Sequence, residues 1–477
     1  MTFTSFEFLL FFPVVVVLYN LIPEKARVLY LLVVSYIFYA LMQPVYLALL
    51  VLVTLTTYYI TKWMKKTEED KNQHRIMILG IVLVLLPLFF FKYFNFINET
   101  IESSLSAIGI VVAMPKIAFM LPVGISFYTF MAVGYIIDVY EEKTEMEPNI
   151  LKVGLFLSFF PIVLSGPIER AGNMFPQFKE LKRSSYSDIT TGLKLMLWGY
   201  FMKLCVADRL GIYFDAVYGN FLYHNGTSLA FATLLYPFQV YADLGGYSLI
   251  AIGTARCMGL KIIPNFKRPF FATTMSELWR RWHMSLIQWL TDYVYTPLSF
   301  SLRKWGIWGI VTSLMLTFFI SGVWHGAEFA FIVWGLIQGV FLCTEALMQK
   351  KRTKFEQKYG LNNKWWYILL CCTIVFILFA FSQIFGNCNS VGESMQVVKK
   401  IFTEPGALFL DWTTLGQAIP MLLLMFFIDL RDEYFPNHFL FFNNRHIAVR
   451  FFSYMVILLL IISMGVLDSS QFIYFQF

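Results

Sequence analysis

Long stretches without a charged side chain recur from one end of this 477-residue chain to the other. A helix needs about 17–25 apolar residues to cross the hydrocarbon core of a bilayer, and several of these stretches have that length. Backbone groups in lipid must bond within their own segment, so such stretches are predicted to be helices. The uncharged runs are Phe8–Pro23, Val28–Thr61, Ile76–Phe91, Ile117–Ile137, Val153–Ile168, Ala216–Ala242, Trp305–Ala327, Phe329–Thr344, Trp365–Gly392, Trp412–Ile428 and Phe451–Leu467.

The composition agrees with a membrane protein, since only 14% of the residues are charged and 58% are hydrophobic. Soluble proteins of this size carry about a quarter charged residues. The run Val28–Thr61 is twice too long for one span and is predicted to break at Gln43 and Pro44. We expect an all-α polytopic fold with about eleven to thirteen transmembrane or re-entrant helices, and the first segment to be a retained helix rather than a removed signal peptide.

The net charge of +7 lies mainly in short connections between the apolar runs. That pattern is typical of cytoplasmic loops under the positive-inside rule and argues against a nucleic-acid partner. The six cysteines have no metal-ligand spacing, so no metal site is predicted. The basic connections are Lys62–Arg75, Lys179–Arg183 and Lys350–Lys358.

Polar residues interrupt the membrane pattern between about Ala242 and Trp305. A helix is predicted from Ser276, which could cap it, with apolar positions recurring at spacings of three and four. Its other side carries Arg280 and Arg281. Each Arg at the centre of a bilayer costs about 2.5–3.5 kcal/mol, so this segment cannot cross lipid as an isolated helix. It either lies along the interface or re-enters the protein to line a polar cavity.

His325 lies near the end of the uncharged run Trp305–Ala327, where an ionisable side chain suggests a functional site. A histidine titrates near neutrality, so it can take a proton from a hydroxyl and return it to a leaving thiolate. The alternative is a structural histidine packed against Trp324. Flanking Gly322 and Gly326 would allow close approach of a neighbouring chain or a substrate. The sequence has no nucleophile elbow, phosphate loop or dinucleotide fingerprint.

Short sequence motifs occur in a fixed order along the chain. They are Leu121–Phe130, Tyr135–Tyr140, Phe160–Pro161, Ser165–Arg170, Pro176–Gln177, Gln239–Tyr247, Asn265–Phe266, Trp279–His283, Asp292–Leu298, Trp324–Gly326 and Trp334–Gly335. With these motifs the chain resembles, over about Ser5 to Gly386, the membrane-bound O-acyltransferase family, specifically the bacterial branch with the membrane subunits of alginate and peptidoglycan O-acetylation. The D-alanyl transferase of teichoic acid modification is a close relative.

The resemblance implies helices around a central tunnel, in a single domain over residues 1–477 with a catalytic core at about 117–345. It implies that His325 is catalytic as general base, and that His283, 42 positions earlier, is a second catalytic residue or a structural one. The donor would be acetyl-CoA or another acyl thioester, with no tightly bound cofactor. The residues implied to bind donor or substrate are Asn265, Trp279, Arg280, Trp282 and Trp324.

Departures from the family pattern leave the acceptor open. The chain has Leu244–Gly245 and Ser299–Phe300 where other residues are usual, and Gly386 where an Arg is expected. We expect acetyl transfer to a hydroxyl of an extracytoplasmic polysaccharide or partner protein, in the bacterial cytoplasmic membrane and in contact with its lipids. One alternative is D-alanyl transfer from a phosphopantetheine carrier protein. A transporter or non-catalytic scaffold is a further alternative, against which the lack of internal repeats argues.

Overall fold

A computed structural model describes residues 1–116, 120–438 and 440–467 of the chain. The residues it describes form α-helices, short 3₁₀ turns and two π-helical segments, and they include no β-strand. The predicted all-α fold class is confirmed. The first residues of the run Ile117–Ile137, and the predicted start of the catalytic core at 117, lie outside the described residues.

The described residues form two compact units, Met1–Leu193 with Ala251–Ile263, and Lys194–Ile250 with the described part of Pro264–Phe477. The single domain proposed from the sequence stays a prediction. The helices, in chain order, are α1 (Phe6–Leu21), α2 (Glu24–Met42), α3 (Leu47–Lys66), α4 (Asp70–Ala107), α5 (Ile125–Tyr140), α6 (Ile150–Ser158), α7 (Ala171–Lys179), α8 (Tyr186–Tyr200), α9 (Asp208–Tyr218), α10 (Gly226–Cys257), α11 (Met275–Arg281), α12 (Met284–Leu290), α13 (Thr296–Ser301), α14 (Ile307–His325), α15 (Phe329–Tyr359), α16 (Trp365–Ser382), α17 (Val391–Thr403), α18 (Trp412–Tyr434) and α19 (Ile447–Met464).

Eight segments in the described ranges are long and apolar enough to cross a membrane by length and composition: α2, α3 with the turn before it, α4, α14, α15, α16, α18 and α19. The shorter helices α1 and α5 are also apolar. Large apolar side chains remain exposed along these helices, as expected where lipid replaces water. The chain is a multi-pass membrane protein.

The first unit confirms the predicted break after the second span. Helix α2 ends at Met42, and Pro44 begins a short 3₁₀ turn that leads into α3. The Gln43 side chain bonds the break to a distant segment, since its Oε1 accepts from the amide of Val123 at 2.8 Å. Its Nε2 donates to the carbonyl of Leu121 at 3.3 Å. These bonds satisfy backbone groups of Leu121 and Val123, which lie before the start of α5 and have no partner within that helix.

The second unit contains a helical hairpin, α14 and α15, whose two helices cross at glycines. A side chain on Gly322 would overlap the carbonyl oxygen of Phe331, and one on Gly335 would overlap that of Phe318. An ideal Cβ on Gly335 would also lie 2.9 Å from the Cα of Gly322. Small residues allow this close approach of membrane helices, which associate through packing and not through exclusion of water.

A buried ion cluster ties α10 to the π-helical segment Phe201–Ala207 in the same unit. The Lys203 ammonium lies 2.7 Å from Asp208 and 2.6 Å from Asp243, and all three side chains are buried. Removing one partner from such a cluster leaves a buried charge uncompensated, which typically costs about 3–5 kcal/mol. Asp243 thus acts as a structural anchor for α10.

The glycine crossing leads to a stability prediction. Gly335→Ala should lower the melting temperature of the purified protein, because the added methyl group meets the backbone of α14 and overpacking costs about 1–3 kcal/mol. The measurement is thermal unfolding in detergent, followed by tryptophan fluorescence.

Gly416→Ala is the matched control, since Gly416 is also helical but no atom lies within 4 Å of the added Cβ. The control should melt at or above the temperature of the unmodified protein. Equal melting temperatures for Gly335→Ala and the unmodified protein would show that the crossing is not tight.

Candidate active site

His325 is the last residue of α14, at the point where the helix gives way to the extended residue Gly326. Its Nδ1 lies 2.7 Å from the carbonyl oxygen of Ser321, one turn earlier. A carbonyl can only accept a hydrogen bond, so Nδ1 carries the proton of the neutral ring. The basic lone pair is therefore on Nε2. This is the tautomer that a general base needs.

The glycine after His325 lets α15 return close to the end of α14. A Cβ on Gly326 would overlap the ring of Phe331. The His325 ring then lies 4.6 Å from the Trp334 ring, centroid to centroid, at an interplanar angle of 62°. The approach of a neighbouring chain predicted from Gly322 and Gly326 is confirmed.

A small cavity with a volume of about 60 Å³ lies beside His325. Helices α10, α15 and α16 and the segment after α11 contribute its walls, which are mostly apolar and aromatic. The lining residues are Tyr236, Val240, Leu244, Trp282, His325, Phe331, Trp334, Phe379, Gln383 and Gly386.

His283 occupies a turn that divides the predicted helix from Ser276 into α11 and α12. Its backbone is left-handed, with φ 45° and ψ 49°. The predicted cap is wrong: Thr274 caps α11 by accepting from the amide of Glu277 at 3.0 Å, and Ser276 is inside the helix. The spacing of apolar residues continues across this turn, so helical periodicity alone predicted one helix. The turn is stabilised by residues distant in the chain, which local periodicity does not reveal.

Asn265 stabilises this turn from a distant position in the chain. Its backbone carbonyl accepts from the amide of Met284 at 2.8 Å, and its side-chain oxygen accepts from the Ser285 hydroxyl at 2.9 Å. Its amide nitrogen donates to the hydroxyl of Ser248 on α10 at 3.1 Å. These contacts give Asn265 a positioning function. Its predicted contact with donor or substrate stays a prediction.

The His283 side chain is only 3% exposed, and its ring lies 6.2 Å from that of Trp324. Trp324 also contacts His325, at 4.8 Å between ring centroids. The rings of His283 and His325 therefore both lie against the indole of Trp324. Burial, and to a smaller extent the nearby His325, lowers the pKa of His283 from 6.5 to about 3. His283 is accordingly neutral at physiological pH.

The remaining predicted residues do not all reach the cavity. Trp282 lines it, and Trp279 packs behind it, 5.9 Å from the Trp334 ring. Arg280 is exposed and lines a second, more polar cavity of about 630 Å³ together with Arg352 and Glu345. The structure thus does not bring Arg280 to the cavity of His325.

Eight of the ten residues that line the cavity were not among the predicted site residues, and three of these eight are Trp334, Gln383 and Gly386. In the sequence, Trp334 was noted only as part of the motif Trp334–Gly335 that resembles the family. Gly386 was noted only as a position where the family usually has an Arg. Gln383 is a polar residue in a long apolar run, which was the one local signal available.

The comparisons with known proteins decide the family. Residues 33–382 match the model of the membrane-bound O-acyltransferase family. The chain belongs to this family. It is 32% identical to a probable alginate O-acetylase from Pseudomonas putida, over 91% of this chain and 88% of the relative. It is 30% identical to a peptidoglycan O-acetyltransferase from Helicobacter pylori, over 78% of this chain and 73% of the relative.

A more distant relative belongs to the alternative considered from the sequence. The teichoic acid D-alanyltransferase of Bacillus subtilis is 27% identical, over 66% of this chain and 78% of the relative. The family and the named O-acetyltransferases confirm the prediction of a membrane O-acyltransferase. They also argue against a transporter or a scaffold without catalytic activity.

The lowered pKa of His283 predicts a pH dependence of this acyltransferase's stability. A buried histidine of this kind binds its proton only when the protein unfolds, so its contribution is complete above about pH 6.5 and is lost as the pH falls from 6.5 toward 3. Between pH 7.5 and pH 5 the loss is about 2 kcal/mol. Thermal unfolding in detergent across this range measures it.

His283→Asn should show a shallower fall in melting temperature, since asparagine does not titrate and tolerates the left-handed backbone. His74→Asn, at an exposed position in the same chain, should keep the slope of the unmodified protein. Parallel slopes for all three proteins would contradict the neutral buried state of His283.

Proposed function

We propose that this chain transfers an acetyl group from a cytoplasmic thioester to a hydroxyl of an extracytoplasmic polysaccharide or partner protein. The observation that carries the proposal is the half-buried His325 imidazole, which lines a small cavity and has its Nδ1–H bound to the Ser321 carbonyl. The relatives are named for alginate and peptidoglycan O-acetylation, and these names support both an acetyl group and a polysaccharide acceptor. The bacterial relatives and the helical spans support a location in the cytoplasmic membrane.

In the proposed reaction, His325 Nε2 removes the proton of the acceptor hydroxyl as its oxygen attacks the thioester carbonyl carbon. The carbonyl π-bond opens to an oxyanion. When this oxyanion collapses, the carbon–sulfur bond breaks, and the imidazolium returns its proton to the leaving thiolate. The products are an O-acetyl ester and a free thiol, so the enzyme ends in its starting state.

The second cavity supports a donor whose phosphates bind at Arg280. Arg280 lines this cavity, and so do Ile310 of α14 and Arg352, which is paired with the lining carboxylate of Glu356 at 2.7 Å. Ile310 precedes His325 by fifteen residues on the same helix, which corresponds to about 22 Å along the axis. A donor bound at Arg280 through its phosphates would need a long, thin arm to reach His325. The pantetheine chain of coenzyme A or of an acyl carrier has that form.

Replacing His325 tests the catalytic assignment. His325→Ala should reduce the O-acetyl content of the cell-envelope polysaccharide by about 100- to 10,000-fold, which is the usual contribution of a general base. The measurement is mass analysis of polysaccharide from a deletion strain that carries the variant. His74→Ala, at an exposed position, should restore acetylation fully. Normal acetylation with His325→Ala present at normal levels would refute the assignment.

The cavity walls favour an acetyl over a D-alanyl group. Among the described residues, those that line the cavity include no Asp or Glu, and an unpaired ammonium in such surroundings pays a large desolvation cost. Protein in lipid nanodiscs should therefore release thiol from acetyl-CoA at least tenfold faster than from a D-alanyl carrier protein, when the acceptor polysaccharide is supplied. The reverse preference would assign the chain to the D-alanyl alternative.

A further inference from the structure

Two side chains that line the cavity of His325 carry a buried hydrogen-bond donor without a partner among the described residues. The donors are Nε1 of Trp334 and Nε2 of Gln383, and neither atom has a hydrogen-bond acceptor among the residues that the structure describes. Both side chains line the cavity and both are more than nine-tenths buried. A buried donor without an acceptor destabilises the folded protein, so two such donors on residues of one small cavity call for an explanation.

Trp334 is held firmly in place. Its ring contacts those of His325, at 4.6 Å, and Trp279, at 5.9 Å between centroids. Gly386 lies beside the edge of the indole that carries the nitrogen: an ideal Cβ there would be 3.6 Å from Nε1 and 3.3 Å from Cδ1. Any larger residue at position 386 would therefore fill space next to the N–H group. Glycine keeps that space open.

Gln383 follows the last residue of α16. Its backbone amide donates to the carbonyls of Phe379 and Ala380, so the helical geometry fixes where its side chain begins. Phe379, one turn earlier, also lines the cavity and packs against Trp282 at 4.9 Å. Gln383 thus reaches the cavity lining from a different helix than Trp334 does.

A second buried glutamine shows the contrast within the same helix pair. Gln338 on α15 is fully buried, and its Nε2 donates to the hydroxyl of Ser382 at 2.6 Å. Ser382 is adjacent to Gln383, yet the Gln383 amide nitrogen is not satisfied in this way. The fold therefore pairs one buried glutamine donor internally and leaves the other, on a residue that lines the cavity, without an acceptor among the described residues.

We propose that Trp334 Nε1–H and Gln383 Nε2–H form the oxyanion hole of this enzyme. The inference rests on the proposed function. When the acceptor oxygen attacks, the thioester carbonyl oxygen gains a full negative charge, and two donors held in a mostly apolar cavity stabilise that charge. The donors are neutral, so they do not disturb the basicity of the adjacent His325. The same donors lose their bond strength when the oxyanion collapses, which returns the site to its resting state.

The test uses inside-out membrane vesicles of the producing bacterium, with acetyl-CoA as donor and free thiol as the readout. Trp334→Phe keeps an aromatic ring and removes the indole N–H, and Gln383→Leu keeps the approximate volume and removes the amide. Each should lower kcat by about 100- to 1,000-fold, with KM for acetyl-CoA changed less than threefold. Trp289→Phe, at a buried tryptophan that does not line the cavity, should keep kcat within twofold.

A spectroscopic measurement separates this function from a structural contribution. In the His325→Ala background, bound acetyl-CoA labelled with ¹³C at the carbonyl should show an infrared carbonyl band at lower frequency than in water. Adding Trp334→Phe or Gln383→Leu should shift that band back toward the frequency of a carbonyl without hydrogen bonds. A band that does not move in either double variant would overturn the oxyanion hole.

The outcomes distinguish the two proposals. Full kcat in both Trp334→Phe and Gln383→Leu, with transfer lost in His325→Ala, would overturn the oxyanion hole and leave the proposed function standing. Absence of acetyl transfer by the unmodified protein would overturn both. Equal losses in kcat for Trp289→Phe and for the two cavity variants would show that the effect is general destabilisation, which would also overturn the inference.

Discussion

The close crossing of α14 and α15 is the constraint on which the candidate site depends. Gly322 and Gly335 bring the two backbones into contact, and Gly326 lets the chain turn back immediately after His325. This geometry places the catalytic candidate within 4.6 Å of Trp334, measured between ring centroids. In lipid, where hydrophobic exclusion of water does not drive helices together, such packing is what holds the hairpin.

Polar groups in the second unit fall into two kinds. Asn265 is satisfied on both sides of its amide, by Ser285 and Ser248, and it stabilises the turn of His283. Trp334 and Gln383 have donors that no described residue satisfies. Satisfied polar groups specify a fold, whereas unsatisfied ones in a cavity indicate where a ligand group would bind. The distinction separates the residues that build the site from those available for chemistry.

The same unit also carries charges that lipid would not tolerate. Glu433, at the end of α18, pairs with Arg281 at 2.9 Å and with Arg268 at 2.7 Å, so two positive charges of the segment around α11 are compensated inside the protein. Lys203 is compensated by two carboxylates in the same manner. Such pairing lets charged side chains lie among membrane helices, whereas Arg280 of the same segment is exposed and lines the second cavity.

The sequence by itself determined the membrane class, the helical architecture, the break at Pro44 and the family. Uncharged runs and short motifs in a fixed order can be read directly from the sequence. It also singled out His325 and Trp282, which share a cavity. Only the tertiary structure revealed the turn at His283, the positioning by Asn265, the separation of Arg280 from that cavity, and the donors of Trp334 and Gln383. These features depend on contacts between segments distant in the chain, and neither helical periodicity nor composition carries information about such contacts.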